Sequence, residues 1–304
     1  MNGLLRDTGM NDQAHNLRRV LEQKENTGLK QTRVISVISG KGGVGKSNFS
    51  LNFAIGLAEK GNKIVLFDLD IGMANLDILL GIHTSGDIVD MIENEKSIWD
   101  IMEPGPYGLQ IAAGGSGLTD IFEMTPSKKD RFSRQMAMLE GAFDYIIFDM
   151  GAGADADSMS FILSSHETIV ITTPEPTAIT DAYAMIKHLH MQDPSLTGSI
   201  LVNRAESKKE GAGTAENLQR AAKRFLNKPL GILGSLPQDK HVLQAVKKQE
   251  PFLLAFPSSP AAKALRQCLE VFTGKHENVE KGEGASYKRF IGQLKSFLKR
   301  GEQE

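Results

Sequence analysis

The chain has 304 residues, 40% of them hydrophobic and 24% charged, with a formal net charge of -2. That balance belongs to an ordinary globular protein, excludes a disordered or fibrous chain, and supplies no overall positive field to hold nucleic acid. A single cysteine, Cys268, excludes an internal disulfide framework and a multi-cysteine metal or cluster site, and it reads as a small buried hydrophobe.

Residues 1–32 are mostly polar, with Met10, Ala14, Leu17 and Leu21 at helical spacing. Spacing alone gives no more than a short, frayed or self-packed helix there. Without an apolar core segment, this stretch is expected to start neither a signal peptide nor a membrane span, and the chain is read as cytoplasmic.

From Arg33 onward, β-rich runs alternate with segments of helical period. Strands are predicted at Val34 to Ser39, Lys63 to Asp68, Leu109 to Ala112, Tyr145 to Asp149, Thr168 to Thr172, Ser199 to Val202 and Leu230 to Gly234. Covering helices are predicted at Lys46 to Lys60, Lys128 to Leu139, Ala178 to Met191 and Thr214 to Phe225. Runs such as Tyr145-Ile146-Ile147-Phe148 are apolar at both parities, which marks central strands covered on two sides. The fold class expected is α/β, a doubly wound, mostly parallel sheet with helices on both faces. The expected organisation is an N-terminal segment over 1–32, one domain over 33–274, a Gly/Glu/Lys linker over 275–285 and a C-terminal helix over 286–304. Trp99, beside Ile98 and Ile101, is expected to pack, and His188 with His190 stand two apart on a helix, too divergent to share a metal.

Gly40-Lys41-Gly42-Gly43-Val44-Gly45-Lys46-Ser47 satisfies G-x-x-x-x-G-K-[ST] between an apolar strand and a helix, the context that a phosphate-binding loop needs. Its glycines let successive N–H groups turn inward around anionic oxygens, and the helix adds its positive end. Lys46 is expected to reach the β- and γ-phosphates and Ser47 to help hold Mg2+, which makes a nucleoside triphosphate with Mg2+ the expected ligand. Asp68 and Asp70 stand at the end of one predicted strand, and Asp149 closes another. The carboxyl edge of an open α/β sheet is where ligands bind.

Ser286 to Arg300 places Tyr287, Phe290, Ile291, Leu294, Phe297 and Leu298 on one helical face and Lys288, Arg289, Lys295, Lys299 and Arg300 on the other. About 15 residues make a helix of roughly 22 Å, too short and too charged to span a bilayer. Such a stripe packs on the protein itself, on a partner, or in the surface of an anionic membrane.

The second lysine, Lys41, directly after the first glycine, resembles the deviant Walker A motif of the MinD/ParA family of ATPases. Asp68-Leu69-Asp70-Ile71-Gly72-Met73-Ala74-Asn75-Leu76-Asp77 and Phe148-Asp149-Met150-Gly151-Ala152-Gly153 resemble further motifs of that family, in order. The resemblance runs from about 33 to 274. It implies a homodimer closed around two ATP molecules, with Lys41 of each protomer reaching the other's phosphates. It also implies that Asp70 orients the attacking water, that Asp68 acts near Mg2+, and that Asp149 holds Mg2+ through water. Asn203, Arg204, Pro237 and Asp239 fall where the family recognises adenine, and the C-terminal stripe is similar to its membrane-targeting helix.

Asp12-Gln13-Ala14-His15-Asn16-Leu17-Arg18 resembles the N-terminal segment of the FlhG (YlxH) family of MinD-like flagellar regulators, as does Thr172 to Tyr183. That resemblance implies that Asp12, Gln13, Ala14, Leu17 and Arg18 act on a GTPase partner, FlhF, with Gln13 or Arg18 as the effector. It also implies contact with flagellar C-ring proteins and reversible attachment to the inner membrane face. The runner-up is a ParA-like ATPase of DNA segregation; the amphipathic tail and the acidic balance argue against nucleic acid as a partner.

Overall fold

The computed structural model describes residues 32–70, 75–115, 125–153, 156–277 and 287–300. Asp12, Gln13, Ala14, Leu17 and Arg18 therefore lie outside the described residues. The strands are β1 (Arg33–Ser39), β2 (Ile64–Leu69), β3 (Met102–Pro104), β4 (Gln110–Ala112), β5 (Tyr145–Ala152), β6 (Glu167–Thr172), β7 (Thr197–Ala205) and β8 (Gly231–Pro237). They form one sheet in the order β3-β4-β2-β5-β1-β6-β7-β8. Every pairing is parallel except that of β3 with β4. The antiparallel edge strand has no counterpart among the predicted strands, because three residues ending in Pro104 carry no periodic signal.

The helices are α1 (Lys46–Glu59), α2 (Leu76–Leu80), α3 (Ile88–Glu93), α4 (Pro126–Ala137), α5 (Ala156–Ser164), α6 (Pro176–Gln192), α7 (Lys208–Leu226), α8 (Lys240–Lys247), α9 (Phe252–Ala255), α10 (Pro260–Glu277) and α11 (Tyr287–Arg300). Helix α7 starts six residues before the predicted Thr214. Ser207 caps it by accepting from the Glu210 N–H, and Gly211 lets it approach the sheet: a Cβ there would lie 2.6 Å from the Ser235 side chain. Glycines that dilute the helical pattern here serve close packing. Helix α10 continues through residues 275–277, which the composition assigned to a linker.

Alternation along the central strands divides the core. Val34 and Ile38, Val65 and Phe67, and Ile146 and Phe148 face one layer, whereas Ile35, Val37, Ile64, Leu66 and Ile147 face the other. Each fully buried side chain of this size contributes about 1.5–3 kcal/mol. The first layer is closed by residues such as Phe132 and Met136 of α4, Phe161 of α5 and Ile186 of α6. The second holds Phe49 and Phe53 of α1 with Leu265 and Leu269 of α10. Cys268 is buried in it.

Helix α11 belongs to the first layer. Tyr287, Phe290 and Leu294 are buried and Ile291 is half-buried against the same cluster; the side chains of Phe297 and Leu298 lie outside the description. The Phe290 ring lies 5.9 Å from that of Phe148, and the Tyr287 hydroxyl donates to the Met136 carbonyl at 2.6 Å. The apolar stripe thus packs on the chain's own body, while Lys288 and Arg289 are exposed. No described helix is long and apolar enough to cross a membrane.

Candidate functional site

Strand β1 lies between β5 and β6, where chain connections leave in opposite directions across the sheet. This is the switch point at which open α/β sheets bind ligands, and Gly40 to Gly45 occupies it. Gly43 and Gly45 have φ of 77° and 90°, the left-handed region that glycine adopts without steric cost. Gly40 serves a different need. A Cβ on it would lie 2.2 Å from the carbonyl oxygen of Asp181, so its bareness lets the loop rest on the backbone of α6.

Lys46 opens α1 and is almost wholly buried. Its Nζ donates to Asp149 Oδ1 at 3.0 Å and lies 3.9 Å from Asp70 Oδ2 and 3.5 Å from Ser47 Oγ. The phosphate-loop lysine, the hydroxyl expected at the metal and two of the predicted carboxylates therefore meet in one place. Asp149 Oδ1 also accepts from Ser50 Oγ at 2.7 Å. Its Oδ2 is buried without a hydrogen-bond partner among the described residues. A buried carboxylate oxygen left open beside a phosphate cradle and the Ser47 hydroxyl is the donor set that suits Mg2+, a hard cation taking oxygen ligands.

Asp68 and Asp149 are register partners on β2 and β5. Burial first, and then the neighbouring Asp149 charge, push the Asp68 carboxyl up to about 6, against the lowering effect of backbone N–H bonds. Those bonds define what Asp68 does here. Its Oδ1 accepts from the Asp70 N–H at 3.2 Å, and its Oδ2 from Asn75 and Leu76 at 2.9 and 3.1 Å. Asp68 thereby ties the end of β2 to the start of α2, next to the metal-suited group. Asp70 is partly exposed; burial raises its carboxyl, with Lys46 opposing and Asp149 adding to the rise. Gly151 leaves room for it, because a Cβ there would stand 3.3 Å from Asp70 Oδ1.

Lys41 is engaged outside the loop. Its Nζ donates to Glu175 Oε2 and to Thr177 Oγ1, each at 3.1 Å, and the side chain is 41% exposed. Asn203 Nδ2 donates to the Val44 carbonyl at 2.8 Å, joining the end of β7 to the phosphate loop. Asn203, Arg204, Pro237 and Asp239 line one cleft of about 1030 Å³ that begins at Gly45. The Asp239 carboxylate is already engaged: Oδ1 accepts from the His241 N–H at 3.0 Å and Oδ2 from the Ala261 N–H at 3.0 Å. Burial alone would raise this carboxyl, but the bonds from Ala261 and His241 outweigh it and hold it below the usual range. Asp239 forms the wall of the cleft while joining α8 to α10.

Residues 30–272 match the ParA family, described as NUBPL iron-transfer P-loop NTPase. The chain belongs to the ParA family of P-loop NTPases. Over 243 residues this NTPase is 34% identical to the antiactivator FleN of Pseudomonas aeruginosa, covering 80% of this chain and 87% of that protein. It is 33% identical over 299 residues to the flagellum site-determining protein YlxH of Helicobacter pylori, covering 96% and 98%. Among solved structures, the septum site-determining protein MinD complexed with Mg-ADP from Pyrococcus horikoshii superposes with a TM-score of 0.68 at 24% identity, covering 83% of this chain and 100% of that one. That likeness establishes the eight-stranded fold as MinD-like. The NTPase is an ATPase of this family, and its solved MinD relative holds Mg-ADP.

Ser50, Glu175 and Thr177 were absent from the residues expected at the site. Ser50 was accessible through periodicity, since it stands four residues beyond Lys46 on the same helix and so shares its face. Glu175 and Thr177 meet Lys41 from more than a hundred residues away, and no spacing rule relates them.

Proposed function

We propose that this ATPase is a nucleotide-controlled regulator of the number and placement of flagella, which dimerises around ATP and carries its outputs on its two terminal segments. The observation that carries this reading is the match to YlxH: at 96% coverage, it reaches beyond the NTPase domain into both ends of the chain. The engagement of Lys41 outside the loop supports a role in trans. Unlike the buried Lys46, it is 41% exposed and held by Glu175 and Thr177 rather than by the carboxylates at the phosphate site, so a second protomer's phosphates can recruit it. Charge developing in phosphoryl transfer is then neutralised only when two copies meet.

Within each protomer, the loop N–H groups and Lys46 bind the phosphates, Ser47 and Asp149 hold the metal with Asp68 beside them, and Asp70 orients the attacking water. A bound Mg2+ would supply positive charge against that of the phosphates. Asn203, Arg204, Pro237 and Asp239 enclose the base. Helix α11, docked through Tyr287, Phe290 and Leu294, represents the membrane-free state; to lie on anionic lipid it must leave its groove and turn Ile291, Phe297 and Leu298 to the bilayer as well. Two such helices in an ATP-bound dimer bind far more firmly than one. The segment holding Asp12, Gln13, Ala14, Leu17 and Arg18 stimulates the GTPase FlhF, and C-ring proteins are the assembly on which the switch acts.

The deciding experiment is co-sedimentation of the full chain with anionic liposomes under ATP and ADP, beside a DNA mobility shift and an FlhF turnover assay with a peptide of residues 1–25. ATP-dependent sedimentation, no DNA shift and faster GTP hydrolysis are expected. Sedimentation of residues 1–284 equal to that of the full chain removes the role of α11, and unchanged FlhF turnover removes the activator role.

A further inference from the structure

Ser50 has no part in the nucleotide cradle, yet it is fully buried against the metal-suited carboxylate. A serine inside a helix commonly bonds back to the carbonyl four residues earlier, and that acceptor, Lys46 O, lies 3.1 Å away. The hydroxyl has one proton for two acceptors. Asp149 Oδ1 is the nearer, at 2.7 Å, and it is charged, so it takes the proton in the stronger bond.

Asp149 Oδ1 therefore has two donors, Lys46 Nζ and Ser50 Oγ, while Oδ2 has none among the described residues. The two donors differ in what else they must do. Lys46 is the residue that turns to the phosphates when nucleotide arrives, and its bond to Asp149 is then shared or lost. Ser50 is fixed on the second turn of α1 and has no competing ligand. A carboxylate without a fixed oxygen can rotate about its Cβ–Cγ bond and exchange Oδ1 for Oδ2.

We propose that Ser50 is a positioning residue for Asp149, holding Oδ1 so that Oδ2 stays presented as the acceptor for the metal and its water shell once Lys46 has engaged phosphate. Outer-shell partners of this kind orient metal-holding carboxylates and tune metal affinity without touching the ion. The inference rests on Asp149 being the metal-holding carboxylate.

The test uses full-length wild type, Ser50→Ala, Ser50→Thr and Asp149→Asn. Mn2+ is titrated into each ADP-bound protein and followed by electron paramagnetic resonance, and ADP affinity is measured separately in EDTA. Ser50→Ala is expected to weaken Mn2+ binding by about tenfold or more, with metal-free ADP affinity within about twofold of wild type and Ser50→Thr restoring the metal. In turnover, Ser50→Ala is expected to raise the Mg2+ concentration for half-maximal rate and to leave kcat at saturating Mg2+ near wild type. Wild-type Mn2+ affinity in Ser50→Ala, with affinity lost in Asp149→Asn, overturns the role of Ser50. Equal losses of metal-free ADP and Mn2+ affinity in Ser50→Ala also overturn it, because they mark a defect in α1 itself. Unchanged Mn2+ binding in Asp149→Asn instead refutes the metal assignment beneath the inference.

Discussion

The Phe290 ring of α11 lies 5.9 Å from the ring of Phe148, the residue immediately before Asp149. The C-terminal helix, packed mainly on α4 and α5, thus touches the strand that carries the metal-suited carboxylate, and Phe161 of α5 meets Phe148 at 5.8 Å. The helix that follows β5 and the helix proposed to reach the membrane share one aromatic contact.

Tyr287→Phe tests how firmly α11 is held. The substitution keeps the apolar stripe but deletes the bond to the Met136 carbonyl, a donor that burial keeps protonated by pushing the Tyr287 hydroxyl up. A net loss of about 1 kcal/mol moves the docked-to-released ratio roughly fivefold toward release. Nucleotide-free sedimentation with anionic liposomes should rise accordingly, while secondary structure by circular dichroism stays that of wild type.

Lys41→Ala should leave the monomer folded. Its ion pair with Glu175 is exposed on both sides, and such pairs contribute about 0.2–1 kcal/mol. Urea unfolding should therefore shift little. Analytical ultracentrifugation with ATP should show monomer where wild type forms dimer; equal dimer fractions would remove Lys41 from the interface.

Two glycines of the loop should respond differently to alanine. At Gly40 the new Cβ meets the Asp181 carbonyl at 2.2 Å, and backbone cannot yield as a side-chain tip can, so a loss of about 1–3 kcal/mol is expected. At Gly42 the nearest atom is Ala152 Cβ at 3.8 Å, an ordinary contact, and stability should stay within about 0.5 kcal/mol. Denaturant midpoints of the two variants, measured without nucleotide, decide this.

Asp239→Ala removes the cap of α8 and the tie to Ala261 of α10, with an expected cost of about 1–3 kcal/mol. In the wild type this carboxyl is held below its unfolded value, so its stabilisation is complete above about pH 4 and is lost as pH falls through the lower folded value. The difference in unfolding free energy between wild type and Asp239→Ala should accordingly shrink below about pH 4. A difference that is constant from neutral pH to pH 3 would show that the charge of Asp239 contributes nothing.

The sequence by itself determined the sheet and the cradle. Val34 to Ile38 and Tyr145 to Phe148 are apolar at both parities, which only a doubly covered strand satisfies, and Gly40 to Ser47 states its own conformation through glycines and a following helix. These are local properties of the chain. The tertiary structure decided which partners those residues take. Ser50 and Asp149 are 99 positions apart and Lys41 and Glu175 are 134 apart, so only the closing of β1 between β5 and β6 brings each pair within hydrogen-bond distance. The same holds for α11. A stripe of Tyr287, Phe290 and Leu294 is equally suited to a protein groove and to a bilayer, since both are apolar hosts, and periodicity cannot choose between them. Here the choice was made by Phe148 and Met136, which offer that stripe an aromatic neighbour and a carbonyl acceptor at the right separation.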